Sequence, residues 1–309
     1  MALHVIFGTG PVGCWTARAL RDMDLPVRAV NRSGSRPELM PERVELVAAD
    51  LSEAQQAVKV SEGATALYQA LNPPYHQWHK YFPALQAAAL QAAKENGARF
   101  VSIENLYMYD PGQPITEASS VAPRSKKGEL RRIMADEIME AHEKGELQAV
   151  ALRSSDFYGP GVRGSAFGEM VFGPLVKGKK AQVGGSDSLL HSFAYIEDVG
   201  RAAALLGTRG EAPGKIWIGP HAPALSQGDM VRMAGSVLGI EPKYTVISPA
   251  MMRVAGLFMP GARAMVEMMY EFTEPFIVDS TRFEEAFGLR PTPIETGIER
   301  TVRWYQKHI

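Results

Sequence analysis

A chain of 309 residues is long enough to bury a large core, as one α/β domain or as one and a half. With 46% hydrophobic and 22% charged residues, and Lys+Arg 33 against Asp+Glu 34 for a formal net charge of -1, it lacks the one-signed field that draws nucleic acid or anionic membrane. The single cysteine, Cys14, cannot close an internal disulfide, no basic segment precedes an apolar run at the start, and no stretch of about eighteen apolar residues occurs. The expectation is a cytoplasmic protein without nucleic-acid or membrane partners.

The first predicted strand, Leu3 to Phe7, runs into Gly8-Thr9-Gly10-Pro11-Val12-Gly13 and then a helical pattern. A strand that reverses tightly into a helix while its backbone approaches a pyrophosphate favours glycine at three positions and faces the positive helix end to the phosphates. Gly8, Gly10, Pro11, Val12 and Gly13 are therefore candidate dinucleotide-binding residues. Further strands are predicted at Val27 to Val30, Val44 to Ala48, Ala66 to Leu71, Phe100 to Ile103, Val150 to Leu152 and Ile216 to Ile218. Ser52-Glu53-Ala54-Gln55 reads as a capping box, and helices are predicted from Tyr81 to Lys94, stopped by Asn96-Gly97, and from Glu129 to Glu143. Strands alternating with helices build an α/β fold, a doubly wound parallel sheet.

After Tyr158 the glycine-rich texture suggests loops over the sheet edge that cover a substrate. From about Ser226 come helices rich in methionine, including Met251, Met252, Met265, Met268 and Met269, which suit a malleable substrate wall or the filling of a small helical core. The division expected is a cofactor domain at 1–160 and 189–222 and a smaller, mostly C-terminal substrate-binding region at 161–188 and 223–309.

The second strand ends at Asn31-Arg32-Ser33, where a dinucleotide fold meets the adenosine ribose and an NAD-selective site usually places a carboxylate. A guanidinium and a hydroxyl suit a 2′-phosphate instead, so NADP(H) is favoured over NAD(H); the alternative is that Arg32 is a solvated loop residue. Asp50 and Leu51 follow the third strand, where Asp50 suits the adenine or a helix cap. Asn72, before Pro73-Pro74, would bring backbone against the cofactor. His76 and His79 lack a third ligand of convincing spacing, so no metal site is expected, and a rim role beside the nicotinamide is.

Beyond the glycine turn, Arg153-Ser154-Ser155-Asp156-Phe157-Tyr158-Gly159-Pro160-Gly161, His191 to Val199 and Gly288-Leu289-Arg290-Pro291-Thr292-Pro293 resemble successive segments of the extended short-chain dehydrogenase/reductase superfamily, also called the NAD-dependent epimerase/dehydratase family. The resemblance implies a Rossmann fold, a nicotinamide cofactor, a small-molecule substrate and, at family level, a homodimer. It also makes His191 a substrate-pocket or interdomain contact. Phe7 stands where the family's first glycine would be, which is closer to the superfamily's atypical branch.

The family's Tyr-x-x-x-Lys pair is missing. Aligned on the Pro123 loop, Lys127 takes the tyrosine's place and Arg131 the lysine's, four residues apart on one helical face, where Arg131 could tune Lys127 by like-charge repulsion. The same residues also read as the solvated basic start of a surface helix. After the fifth strand, Asn105 could orient a substrate carbonyl, and of Tyr107 and Tyr109 one should face the cleft and the other the packing. Asn105, Tyr107, Tyr109, Lys127 and Arg131 are the candidate catalytic set. Three functions fit: an NAD(P)-dependent oxidoreductase moving hydride between the cofactor and a carbonyl or alcohol carbon, a nucleotide-sugar epimerase or dehydratase with Arg153 and Arg163 near the substrate, or a catalytically inactive NADP-binding sensor or scaffold.

Overall fold

The computed structural model describes residues 2–309. Strands β1 (Leu3–Phe7), β2 (Val27–Asn31), β3 (Glu45–Ala48), β4 (Ala64–Gln69), β5 (Arg99–Glu104) and β6 (Ala149–Arg153), with the edge strand Ile216–Ile218, form one seven-stranded sheet. Every neighbouring pair is parallel, and the order is edge strand, β6, β5, β4, β1, β2, β3. The order reverses between β1 and β4, and there a doubly wound sheet opens a crevice at its carboxyl edge.

Alternation along the strands builds the two covering layers. Ile6, Ala66, Tyr68 and Val101 face one core, with Ala17 and Leu20 of helix α1 (Pro11–Asp22) and with Val199, Ala203 and Leu206 of the helix Ile196–Thr208. Val5, Phe7, Leu67 and Phe100 face the other, with Ala57 of α2 (Ala54–Val60), Ala89 and Ala93 of α3 (Trp78–Asn96) and Ile138 of α4 (Lys126–Glu143). A third core gathers Tyr158, Phe172, Phe193 and Tyr195 with Met230 and Val231 of the helix Gln227–Leu238 and Ile298 and Val302 of the helix Ile294–His308. Phe283 and Phe287, from the helix Thr281–Phe287, close edge to ring on Trp217 of the edge strand.

The strand boundaries differ from the predicted ones by up to two residues. The capping box does not form: Glu53 is the N-cap without a side-chain bond, and the Ser52 hydroxyl donates instead to Asp50 Oδ1 at 2.7 Å. Helix α3 begins three residues before the predicted start, after a 3-10 turn at Tyr75–Gln77, and ends on left-handed Gly97. Helix α4 gains a turn because Ser125 caps it, accepting from the Gly128 amide at 3.0 Å. Among the described residues no helix is long and apolar enough to cross a membrane.

Candidate active site

The crevice at the switch point is a cleft of about 420 Å³. Gly8, Gly10, Pro11 and Val12 line one side, Ala70, Leu71 and Asn72 the next, and Asn105, Tyr107, Arg131 and Asp156 the far end. Gly8 sits at φ 101, where a side chain is strained, and a Cβ there would lie 2.7 Å from the Ala70 carbonyl. Gly13 lies beneath, pressed on the Gly8 carbonyl, whereas a Cβ on Gly10 would meet nothing within 4 Å. The turn is thus closed on its protein side and open at Gly10, the N-cap of α1, with Pro11 starting the helix. Amides at the head of a helix can there meet an anionic diphosphate, so the residues fit a dinucleotide.

At the tip of β2 the Asn31 side chain organises the loop: its amide donates to the Thr9 hydroxyl at 2.9 Å, and its Oδ1 accepts from the Ser33 and Gly34 amides at 3.1 and 2.6 Å. Arg32 and Ser33 are left exposed. Asp50 is exposed too, its pKa lowered chiefly by the Ser52 hydroxyl and amide with a smaller pull from Arg32, while Leu51 is buried in the second core. None of these five lines the cleft itself.

The candidate catalytic residues separate. Asn105 and Tyr107 follow β5 into the cleft. Tyr107 stacks on Trp78 with ring centroids 6.0 Å apart, and its hydroxyl is hydrogen-bonded to that of Tyr75. Burial, then Tyr75, pushes the Tyr107 phenol well above its ordinary pKa, so it is a neutral donor or acceptor and no phenolate base. Tyr109 points into packing with Leu106, Met108 and Ile115, and its hydroxyl accepts from Arg153. Arg153 is not among the residues lining the cleft: it is held by Glu104 Oε2 at 2.9 Å, both side chains buried.

Lys127 and Arg131 also diverge, although they start on one helix face. The Lys127 ammonium donates to the Ala264 carbonyl at 2.8 Å and pairs with Glu267, which pins α4 to the segment Val266–Phe272. It is not among the groups lining the cleft. Arg131 is 1% exposed and does line it, its guanidinium over Phe82; Nε has no partner and Nη1 reaches only Met134 Sδ at 3.8 Å among the described residues. Burial lowers its pKa from the ordinary arginine value, with Glu104 opposing. A buried guanidinium so short of acceptors leaves donors that a ligand oxygen could meet.

Residues 5–219 match the NAD dependent epimerase/dehydratase family. The chain belongs to that family. This family member is 27% identical over 161 residues to a dTDP-4-dehydro-6-deoxy-D-allose reductase of Streptomyces bikiniensis, an alignment that takes in 51% of the chain and 43%, less than half, of the relative. Its fold matches a UDP-glucose 4-epimerase of Thermus thermophilus in complex with NAD, with a TM-score of 0.79, 16% identity and coverage of 99% of this chain and 100% of that one. A UDP-glucuronic acid 4-epimerase of Bacillus cereus, in complex with UDP-glucuronic acid and NAD, also gives 0.79, at 18% identity and coverage of 99% and 100%. As a member of that family, the chain is an enzyme of the NAD-dependent epimerase/dehydratase type.

Other groups of this enzyme's cleft escape a motif search. Trp78, buried, donates from Nε1 to the Pro73 carbonyl at 2.8 Å and so fixes the turn after β4, and Met268 packs with Trp78, Phe82 and Tyr107. Met251, by contrast, is exposed. Behind them, Glu271 is 2% exposed and its Oε1 has no hydrogen-bond partner among the described residues. Burial, then the charge of Asp156, pushes its pKa well above the ordinary 4.5. The folded protein therefore keeps a proton that the unfolded chain releases above that value, so this group's contribution to stability is full at low pH and declines as pH rises. Glu271→Gln is expected to raise the melting temperature at pH 8 by about 2 °C or more, a gain that shrinks toward pH 4; an equal effect at both pH values would refute the buried neutral acid.

Proposed function

We propose that this enzyme is an oxidoreductase that takes NADP(H) in preference to NAD(H) and acts on a carbonyl or alcohol carbon of a small molecule held at the far end of the cleft. The observation that carries the reading is Arg131, a buried guanidinium with vacant donors between the glycine turn and the Tyr107 end. The nicotinamide would supply the hydride. Gly8 to Gly13 would hold the diphosphate, with Asn72 beside it, and Arg131 would hold nicotinamide-ribose or substrate oxygens. Asn105 and Tyr107 would orient the reacting oxygen. Arg32 and Ser33, exposed beside the turn that Asn31 organises, would take a 2′-phosphate; Asp50 and Leu51 would border the adenine. A cytoplasmic setting and a homodimer belong to the same reading.

Titration of the purified protein with NADPH and NADH tests it, followed by absorbance at the nicotinamide band with a panel of small aldehydes and ketones. NADPH is expected to bind at least about 10-fold tighter, a difference of about 1.4 kcal/mol, and Arg32→Glu to reverse the order. Binding of neither cofactor would sink the proposal. Epimerisation of a nucleotide sugar is a second reading, supported by Arg163 at the cleft wall and by the sugar nucleotide in the Bacillus cereus structure. Tight binding of a nucleotide diphosphate sugar without NADPH oxidation would favour it.

A further inference from the structure

A carbonyl oxygen that becomes an alcohol needs a proton as well as a hydride on its carbon. The Tyr107 hydroxyl is tied to that of Tyr75, a bond in which either can donate, and Lys127 is paired with Glu267 away from the cleft lining. Asp156 does stand at the cleft. It follows β6 into the wall, its side chain is 12% exposed, and Oδ1 makes no hydrogen bond among the described residues. Its other oxygen, Oδ2, lies 3.1 Å from Nε2 of His191.

The second nitrogen of His191 settles the proton count. Nδ1 lies 3.1 Å from the backbone carbonyl of Glu271, a group that only accepts, so Nδ1 carries a hydrogen. If Nε2 were then bare and Asp156 ionised, two lone pairs would face each other across 3.1 Å in a part-buried site. The hydrogen bond requires one more proton, on Nε2 or on Oδ2. The plane of the imidazole is held by its neighbours: the ring stacks on Phe272 and Phe276, with centroids 5.1 and 5.2 Å away and interplanar angles of 12° and 20°. Arg131, at the same end of the cleft as Asp156, is positive; the other titratable groups around the pair bring no charge. Glu271 is held neutral by burial, as are Tyr75 and Tyr107. Nδ1 of His221 faces the Gly219 carbonyl and Nε2 accepts from the Ser155 amide, with burial lowering its pKa to about 4.

We infer that Asp156 is the catalytic residue that passes a proton to and from the substrate oxygen, and that His191 is the positioning residue that stores it. The assignment rests on the hydride-transfer reading. In the reducing direction a dihydronicotinamide held by Gly8 to Gly13 would supply hydride to the carbonyl carbon, itself becoming oxidised. The carbonyl π pair moves onto oxygen and takes the proton shared by Asp156 and His191, which leaves the pair one proton short until water refills it. Alcohol oxidation runs the same steps backward. The pair thus stands in for the absent Tyr-x-x-x-Lys.

The test uses the full chain with NADP+ bound, and NMR of the ring-labelled histidines at neutral pH. A hydrogen-bonded low-field proton assigned to His191 is expected, lost in Asp156→Ala and in His191→Phe. Single turnover of NADPH with benzaldehyde is expected to slow by about 100-fold or more in Asp156→Ala, with NADPH affinity within about threefold, and added acetate should restore at least about 10-fold of the loss. In His191→Phe the deficit should shrink as pH falls, because free protons replace the stored one. A wild-type rate in Asp156→Ala, or a deficit that acetate leaves untouched, overturns the assignment. Should the variants not fold, wild-type protein lacking the low-field proton overturns it. Failure of wild-type protein to bind NADPH would count against the hydride reading alone, and the resonance in the apo protein would still decide whether the pair holds its proton.

Discussion

Gly13→Val is expected to weaken NADPH binding by about 100-fold or more, roughly 3 kcal/mol, and to lower the melting temperature by several degrees. A Cβ at Gly13 would lie 2.0 Å from the Gly8 carbonyl and 3.3 Å from Ile6 Cγ2. The contact partner is backbone, so the first turn of α1 has to move away from β1 rather than a side chain swing aside. That movement opens the cradle in which Gly8, at φ 101, already closes on Ala70. Calorimetric titration beside a thermal melt measures both effects, and an affinity within about threefold of wild type would show that the turn does not hold the diphosphate.

Arg153→Met is expected to destabilise the protein by about 3–5 kcal/mol, because it leaves the Glu104 carboxylate buried without its partner. The Glu104 and Arg153 side chains are 1% and 3% exposed. Burial alone would lower the Arg153 pKa; Glu104 and Tyr109 outweigh it, and the net direction is up. Glu104 is satisfied on its other oxygen by the Ser102 hydroxyl at 2.8 Å, so the pair ties the carboxyl ends of β5 and β6 together directly under the cleft. The double variant Arg153→Met with Glu104→Gln should recover most of the loss. Denaturant melts of the single and double variants measure it, and a double variant as unstable as Arg153→Met would show that the unpaired charge is not the cause.

Fold and cradle are legible in the sequence because they rest on local rules. Alternation in Val5-Ile6-Phe7 and the spacing of Gly8, Gly10 and Gly13 each follow from backbone geometry over a few residues. The fate of Lys127 and Arg131 is not legible in that way. Four-residue spacing places both on one face of α4, yet Glu267, some 140 positions later in the chain, draws the lysine aside while Arg131 stays in the cleft. Tyr107 and Tyr109 separate for a similar reason, since Arg153 claims the second phenol. Asp156 stood in view inside the Arg153 to Gly161 segment, but its significance depends on His191, and that of His191 on a backbone carbonyl of Glu271. No spacing rule encodes a backbone acceptor supplied by a distant segment. The capping box at Ser52 does not form because its hydroxyl is turned to Asp50, two residues earlier, and donates there.

Trp78 is anchored through Pro73 and lies 2% exposed in the cleft wall against Tyr107. Its fixed indole makes the fold its own optical gauge. Indole emission overlaps the absorption of a reduced nicotinamide and not that of an oxidised one, and transfer between them falls steeply with distance. A ring held in the wall of the cleft would therefore dim when the reduced cofactor enters and recover when it is oxidised, so that filling and turnover of the cleft can be followed on the native chain without attaching a dye.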